Sequence, residues 1–236
     1  MKNKKLTIGI LGGMGPAATL DLFKEIISNV LASTDQDYPH IIVDCASGIP
    51  DRTKAIIYGE ESPLTDLIAS AKRLQNAGAD FLVIACNTSH YFLNFISKAI
   101  EIPILDMIDQ TAVYLKKKKI KRVVLLGTEG SKKTRIYERY LTKYDIECIY
   151  PPDSLQIKVD SLIYDCIKAG STNFNFEHFN CLLKQVYKEF RCPFVLGCTE
   201  LPIAVNEFRI EGDFINPTLI VARRAVELAG YKLRNK

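Results

Sequence analysis

Short apolar runs rich in β-branched residues alternate along this chain with longer stretches whose apolar residues recur at helical spacing. The runs predict strands at 6–11, 41–45, 81–85, 102–105, 122–126, 146–149, 193–197 and 213–215. Leu20, Phe23, Ile26, Ile27 and Val30 mark one predicted helix; Leu64, Leu67, Ile68, Ala71 and Leu74 mark another. Strand and helix in alternation predict an α/β fold, with parallel sheets covered by helices on both faces.

The pattern repeats itself. Leu11-Gly12-Gly13-Met14-Gly15-Pro16 aligns with Leu126-Gly127-Thr128-Glu129-Gly130-Ser131. Phe81 to Thr88 aligns with Pro193 to Glu200, and Ile102 to Asp106 aligns more weakly with Gly212 to Asn216. The offsets drift slowly, from 115 (Gly12 to Gly127) through 112 (Cys86 to Cys198) to 110 (Asp106 to Asn216). Three matches in order predict two pseudo-symmetric α/β halves, each with a parallel sheet of about four strands. The division is expected near Lys116-Lys117-Lys118-Lys119, giving halves at 1–116 and 117–216. A last helix within 217–236 is expected to pack back on the first half. The lysine run reads as a solvated helix end.

Composition narrows the function. Apolar residues make up 47% of the 236 positions and charged residues 25%, which excludes a disordered or collagen-like chain. A net charge of +4 is too small to argue for nucleic acid. The longest unbroken apolar run, Phe81 to Cys86, is far below the roughly 18 residues of a membrane span. The start of the chain has a faint signal-peptide look, but Gly12-Gly13-Met14-Gly15-Pro16 breaks its apolar stretch. The expected setting is cytoplasmic. Seven cysteines, odd in number and without Cys-x-x-Cys pairs, favour neither a disulfide framework nor a metal site. Cys45, Cys148, Cys166, Cys181 and Cys192 read as ordinary buried cysteines.

Cys86 and Cys198 differ from these. Each follows an apolar strand, precedes a helix-like segment and is trailed by polar residues: Asn87-Thr88-Ser89 in one case, Thr199-Glu200 in the other. A helix N-terminus is expected to lower a thiol's pKa. In open α/β sheets ligands sit at the carboxyl ends of the strands, so a cleft between the halves collects both thiols. Two equivalent thiols across a cleft suit proton exchange at a carbon acid. One thiolate takes a proton from one face while the other thiol returns one from the opposite face.

These segments resemble a known family. Leu11 to Pro16, Ile49-Pro50-Asp51-Arg52-Thr53, Ala85-Cys86-Asn87-Thr88, Leu126 to Gly130 and Gly197-Cys198-Thr199-Glu200 are similar, in order, to the signatures of the aspartate/glutamate racemase superfamily. The cofactor-independent aspartate racemases are the most similar branch. The resemblance implies two flavodoxin-like halves around a cleft, a homodimer, no cofactor, no metal and a small acidic amino acid as substrate. It implies Cys86 and Cys198 as paired acid/base thiols. Asn87, Thr88, Thr128, Ser131 and Thr199 would hold the α-carboxylate and ammonium, with Met14, Ser89 and Glu200 beside them. Arg52 and Lys168 would meet the second carboxylate, for which a guanidinium fork and a point charge are suited.

The glutamate-racemase branch carries an Asp-Ser pair where this chain has Gly13-Met14, and a His where it has Glu200, which leans the reading towards aspartate or a broader range. Some relatives replace the first cysteine with threonine; this chain keeps both, so both directions are expected to run. Related members of the superfamily are maleate isomerases, hydantoin racemases and arylmalonate decarboxylases. A non-catalytic amino-acid-binding module is a further alternative. Gly13-Met14-Gly15-Pro16-Ala17-Ala18 also fits a dinucleotide fingerprint, with Asp44 placed for a ribose, although that reading leaves both cysteines unexplained. His40 and His178 read as surface or satisfied residues, and His90, four positions after Cys86, is placed to influence it.

Overall fold

A computed structural model of the chain describes residues 5–234. Its strands form two four-stranded parallel sheets. The first contains β1 (Ile8–Gly12), β2 (Ile41–Cys45), β3 (Phe81–Ile84) and β4 (Ile104–Leu105) in the order β2-β1-β3-β4. The second contains β5 (Arg122–Leu126), β6 (Glu147–Ile149), β7 (Phe194–Leu196) and β8 (Phe214–Ile215) in the order β6-β5-β7-β8. The two orders are the same, and each is a flavodoxin-like order lacking its final strand. All eight predicted strands are present: β2 and β5 have the predicted bounds, β1 starts two residues later and ends one later, and the others are trimmed by one or two residues at an end.

In the first half the helices are α1 (Pro16–Ser28), α2 (Arg52–Tyr58), α3 (Leu64–Asn76), α4 (Leu93–Lys98) and α5 (Met107–Lys117), with a tighter turn at Thr88–Phe92 ahead of α4. The second half has α6 (Glu129–Thr134), α7 (Ile136–Leu141), α8 (Asp153–Ser161), α9 (Phe176–Phe190), α10 (Glu200–Glu207) and α11 (Pro217–Leu228). α8 runs directly into a π-helical segment, Leu162–Lys168. Among the described residues no helix is long and apolar enough to cross a membrane.

The apolar runs of the inner positions became strands β1, β3, β5 and β7 because both faces of each sheet are covered there. Ile8, Ile10 and Leu11 of β1 are all fully buried, so no polar alternation survives along the strand. Burying each such side chain contributes about 1.5–3 kcal/mol. One helix differs from the sequence reading. The buried side of α1 is Ala18, Leu22 and Ile26, whereas Leu20 is 67% exposed. Two residues along a helix turn through roughly 200°, so Leu20 and Leu22 cannot share a face.

The last helix of each half packs on the other half. Val221, Ala222, Ala225 and Val226 of α11 join Ile8, Ile10, Leu22 and Phe81 in one core. Ile108, Ala112 and Leu115 of α5 join Val123, Leu125, Tyr137 and Val195 in another. α5 and α11 are capped alike. The Asp106 carboxylate accepts from the N–H groups of Ile108 and Asp109, and the Asn216 side chain accepts from those of Thr218 and Leu219. Each cap contributes about 1 kcal/mol. The Asp/Asn difference between the repeats is thus a difference between two good caps. Lys116 to Lys119 end α5 and are solvent-exposed.

Candidate functional site

The loops after β1, β3, β5 and β7 converge between the halves. Ten of the twelve residues singled out from sequence line one small cavity there: Met14, Arg52, Cys86, Asn87, Thr88, Thr128, Lys168, Cys198, Thr199 and Glu200. Its volume is about 10 Å³, space for about one water molecule. Ser89 and Ser131 stand behind the lining. The Ser89 hydroxyl donates to Met14 Sδ at 3.1 Å, and Ser131 Oγ lies 3.2 Å from Thr88 Oγ1. Three further lining residues, Asp51, Thr53 and Tyr164, were not singled out. Asp51 and Thr53 flank Arg52 in the Pro-Asp-Arg-Thr segment. Tyr164 precedes Lys168 by one helical turn, a spacing too common to act as a signal.

The local backbone explains how these groups arrive. Gly13 adopts φ +91°, and a Cβ there would sit 2.3 Å from the Ala46 backbone. Its N–H donates to Thr19 Oγ1 at 2.8 Å. The glycine loop is therefore built for close approach of the loop after β2. Asp44, the acid of the dinucleotide reading, is occupied by Arg73 at 2.8 Å. Asp51 caps α2 through the Lys54 N–H, which puts Arg52 at the first position of that helix. The π-helical segment ends on Lys168 and sets its ammonium 5.4 Å from the centre of the Tyr164 ring. The Tyr164 hydroxyl donates to Thr53 Oγ1 at 3.1 Å, tying this segment to α2 across the cleft.

Polar groups line the cavity in three sets. Thr88, Thr128 and Ser131 form a buried triangle of hydroxyls with sides of 3.1, 3.2 and 3.2 Å. Asn87 accepts a hydrogen bond from the Tyr137 hydroxyl at its Oδ1, and its Nδ2 is buried without a partner among the described residues. The third set is ionic. Arg52 donates to the carbonyls of Ile49, Pro50 and Met14 at 3.2, 2.9 and 2.8 Å, while its Nε has no partner among the described residues. Lys168 Nζ lies 3.4 Å from both the Met14 carbonyl and Glu200 Oε1. Buried donors without acceptors are costly, and in a cavity they are poised for a ligand.

The cysteines depart from expectation in one respect. Cys86 and Cys198 are 7% and 6% exposed, so both are nearly buried. The Cys198 thiol donates to Glu200 Oε2 at 3.0 Å, and the Thr199 hydroxyl donates to the same oxygen at 3.2 Å. Burial, then the Glu200 carboxylate, push the Cys198 thiol well above its ordinary pKa, outweighing Lys168. The lowering expected from a helix N-terminus does not prevail, because desolvation and an adjacent anion are stronger effects. Burial works against the charge on Lys168, but Glu200 and the two sulfurs outweigh it and hold its pKa up. Burial also raises the Tyr164 hydroxyl.

His90 does not address the Cys86 sulfur. Its Nδ1 bonds the Cys86 carbonyl at 2.9 Å, and its Nε2 accepts from the Met107 N–H at 3.2 Å. With the Met107 N–H donating to Nε2, Nδ1 is the ring's donor to the Cys86 carbonyl. His40 and His178 are exposed. Of the other cysteines, Cys166 and Cys192 are buried and Cys148 partly so, whereas Cys45 and Cys181 are exposed, contrary to the sequence reading. Cys45 ends the edge strand β2, and Cys181 lies on the outer face of α9. Among the described residues no three His, Cys, Asp or Glu side chains are grouped to hold a metal ion.

Comparison with known proteins agrees with this architecture. The structure is similar to aspartate racemase from Picrophilus torridus, with a TM-score of 0.81 and 30% identity, covering 97% of this chain and 96% of that one. It is similar to an aspartate racemase homologue from Pyrococcus horikoshii, with a TM-score of 0.74, 27% identity and coverage of 97% and 99%. A broad specificity amino-acid racemase from Bacillus subtilis is 28% identical over 226 residues, 93% of this chain and 96% of that protein. The profile of the Asp/Glu/Hydantoin racemase family matches residues 11–225, so this chain, with its paired sheets and its cysteine from each half in one cavity, belongs to that family.

Proposed function

We propose that this protein interconverts the enantiomers of an acidic amino acid, aspartate first, by proton exchange at Cα between Cys86 and Cys198. The observation that carries the reading is that one cysteine from each half lines a single cavity with Arg52, Lys168 and Glu200. Arg52, Lys168 and Glu200 supply two cations and one anion, the charge complement of a molecule with two carboxylates and one ammonium, while the further lining carboxylate, Asp51, is engaged as the cap of α2. Arg52 and Lys168 suit the carboxylates, and Glu200 Oε1, buried and 3.4 Å from Lys168 Nζ, suits the ammonium. The amide of Asn87 and the hydroxyls of Thr88 and Thr128 supply neutral donors. Such donors stabilise the charge that spreads onto a carboxylate as the α-proton leaves.

In this mechanism one sulfur, as thiolate, takes the α-proton. The other, as thiol, protonates the opposite face of the planar carbanion, and the roles exchange for the reverse reaction. A cavity of about 10 Å³ cannot admit an amino acid, so the halves must part to bind one. The Tyr164–Thr53 bond and the seat of Gly130 against Thr53 are the contacts that open. Closure over the substrate then excludes water.

The reading includes a cytoplasmic homodimer, for which light scattering at twice the 26.6 kDa chain mass is the check. The Picrophilus neighbour supports aspartate, and the Bacillus relative supports a wider range. One experiment tests both. Incubation with L-aspartate, L-glutamate or L-alanine in D₂O, with no cofactor added, is expected to yield the D-enantiomer with deuterium at Cα, fastest for aspartate. Tight binding without deuterium exchange would leave a binding module. Equal rates for alanine and aspartate would favour broad specificity.

A further inference from the structure

The two cysteines occupy matching places, but the residue two positions after each does not match. After Cys198 it is Glu200, a carboxylate 2% exposed; after Cys86 it is Thr88, a neutral hydroxyl turned towards Thr128 and Ser131. Glu200 Oε2 takes the hydrogen bond of the Cys198 thiol at 3.0 Å. The Cys86 sulfur has no hydrogen-bond partner among the described residues. The other charged or titratable groups facing Cys198 and Glu200 are Lys168 at the end of the π-helical segment, Tyr164 within that segment, Arg52 and Asp51 at the start of α2, Tyr137 of α7, and Cys86 itself. Resting on the racemase reading above, we infer that Glu200 is a positioning residue that keeps the shared proton on Cys198, so that the free enzyme is one-sided, with Cys86 as its base and Cys198 as its acid.

The consequence is kinetic. The enantiomer whose Cα–H faces Cys86 meets the resting form directly. Turnover moves its α-proton to Cys86 and the Cys198 proton to the opposite face of the carbon. A Cys198 thiolate is then left beside a carboxylate. That form is disfavoured and resets when solvent carries the proton from Cys86 back to Cys198. The mirror-image substrate needs the disfavoured form at the outset. The two enantiomers have equal free energy in water, so kcat/KM must be the same in both directions. The asymmetry therefore shows as kcat and KM differing between enantiomers by a common factor.

The test is competitive labelling with substoichiometric iodoacetamide in the absence of substrate, read by peptide mass spectrometry. The near-equal exposure of the two cysteine residues removes residue burial as a reason for preference. In the wild-type protein Cys86 is expected to be carbamidomethylated ahead of Cys198. In Glu200→Gln the Cys86:Cys198 ratio is expected to fall by about tenfold or more, the scale of a hydrogen bond to a charged group. The common kcat and KM factor is expected to shift by a similar amount. Loss of an ammonium contact alone would raise KM for both enantiomers alike and leave the labelling ratio unmoved. Wild-type labelling of Cys198 equal to or ahead of Cys86 overturns the inference, and needs no variant to fold. An unchanged ratio in Glu200→Gln overturns it as well. Labelling is read without turnover, so its outcome is separate from whether aspartate is the substrate.

Discussion

The two halves share one plan and differ where the chemistry lies. Both run strand orders of the same type, both end in a helix that packs on the opposite half, and both place a cysteine after the third strand. At the loop after the first strand, however, one half carries Gly13 and the other Thr128. After the cysteine one carries Asn87-Thr88 and the other Thr199-Glu200. Thr128 caps α6 at the Ser131 N–H and presents a hydroxyl to the cavity, whereas Gly13 lets the Ala46 backbone approach. The scaffold is symmetric where it must bury apolar surface. The asymmetry of the site suits the proposed substrate, whose α-carbon carries four different groups.

The strongest way to break this comparison is to remove one sulfur at a time. Cys86→Ala and Cys198→Ala are each expected to lower racemisation by at least ~10³-fold. Each should retain deuterium exchange of one enantiomer, and the two variants should retain opposite ones. Exchange of the same enantiomer by both would show that the sulfurs do not flank the carbon.

Next in size is the loop pair. Gly13→Ala meets both the positive φ and the 2.3 Å contact, and is expected to cost ~2–4 kcal/mol in urea unfolding. At the matching place, Thr128→Ala removes a cap and should cost only ~1 kcal/mol.

A smaller effect is a slope with pH. Folding holds a proton on Cys198 that the unfolded chain releases above the ordinary thiol value of 9.0. This contribution to stability is fully present below pH 9.0 and is lost as pH rises above it towards the raised native value. Thermal melts of the wild type should therefore decline more steeply above that point than those of Cys198→Ser, whose hydroxyl does not titrate there.

The smallest effect concerns the two caps. Exchanging them, as Asp106→Asn or Asn216→Asp, is expected to change stability by about 0.5 kcal/mol or less, since both residue types cap well. A larger loss at either position, measured by urea unfolding, would show that the Asp/Asn difference between the repeats has a function beyond capping.

Much of the fold was legible because burial leaves a mark on composition. Strands covered on both faces must be apolar throughout, so Phe81–Ile84 and the stretch 123–126 stand out as runs. The face of α1 was harder, since Leu20 and Leu22 are equally apolar and only packing chose between them. Ten of the twelve singled-out residues meet in one cavity because strand ends gather there in this architecture. Tyr137 and Tyr164 escaped notice. Their polar contacts, to Asn87 and Thr53, are with residues distant in sequence, and no local spacing encodes those partners.

By itself the sequence determined the α/β class, the internal repeat and the matched cysteines, because periodicity and spacing are properties of a chain before it folds. Only the tertiary structure decided which way the Cys198 thiol shifts, how Arg52 is held among carbonyls and which half receives each terminal helix. Charge and desolvation act through distance, and the distances between residues far apart in the chain exist only once the halves have closed on each other.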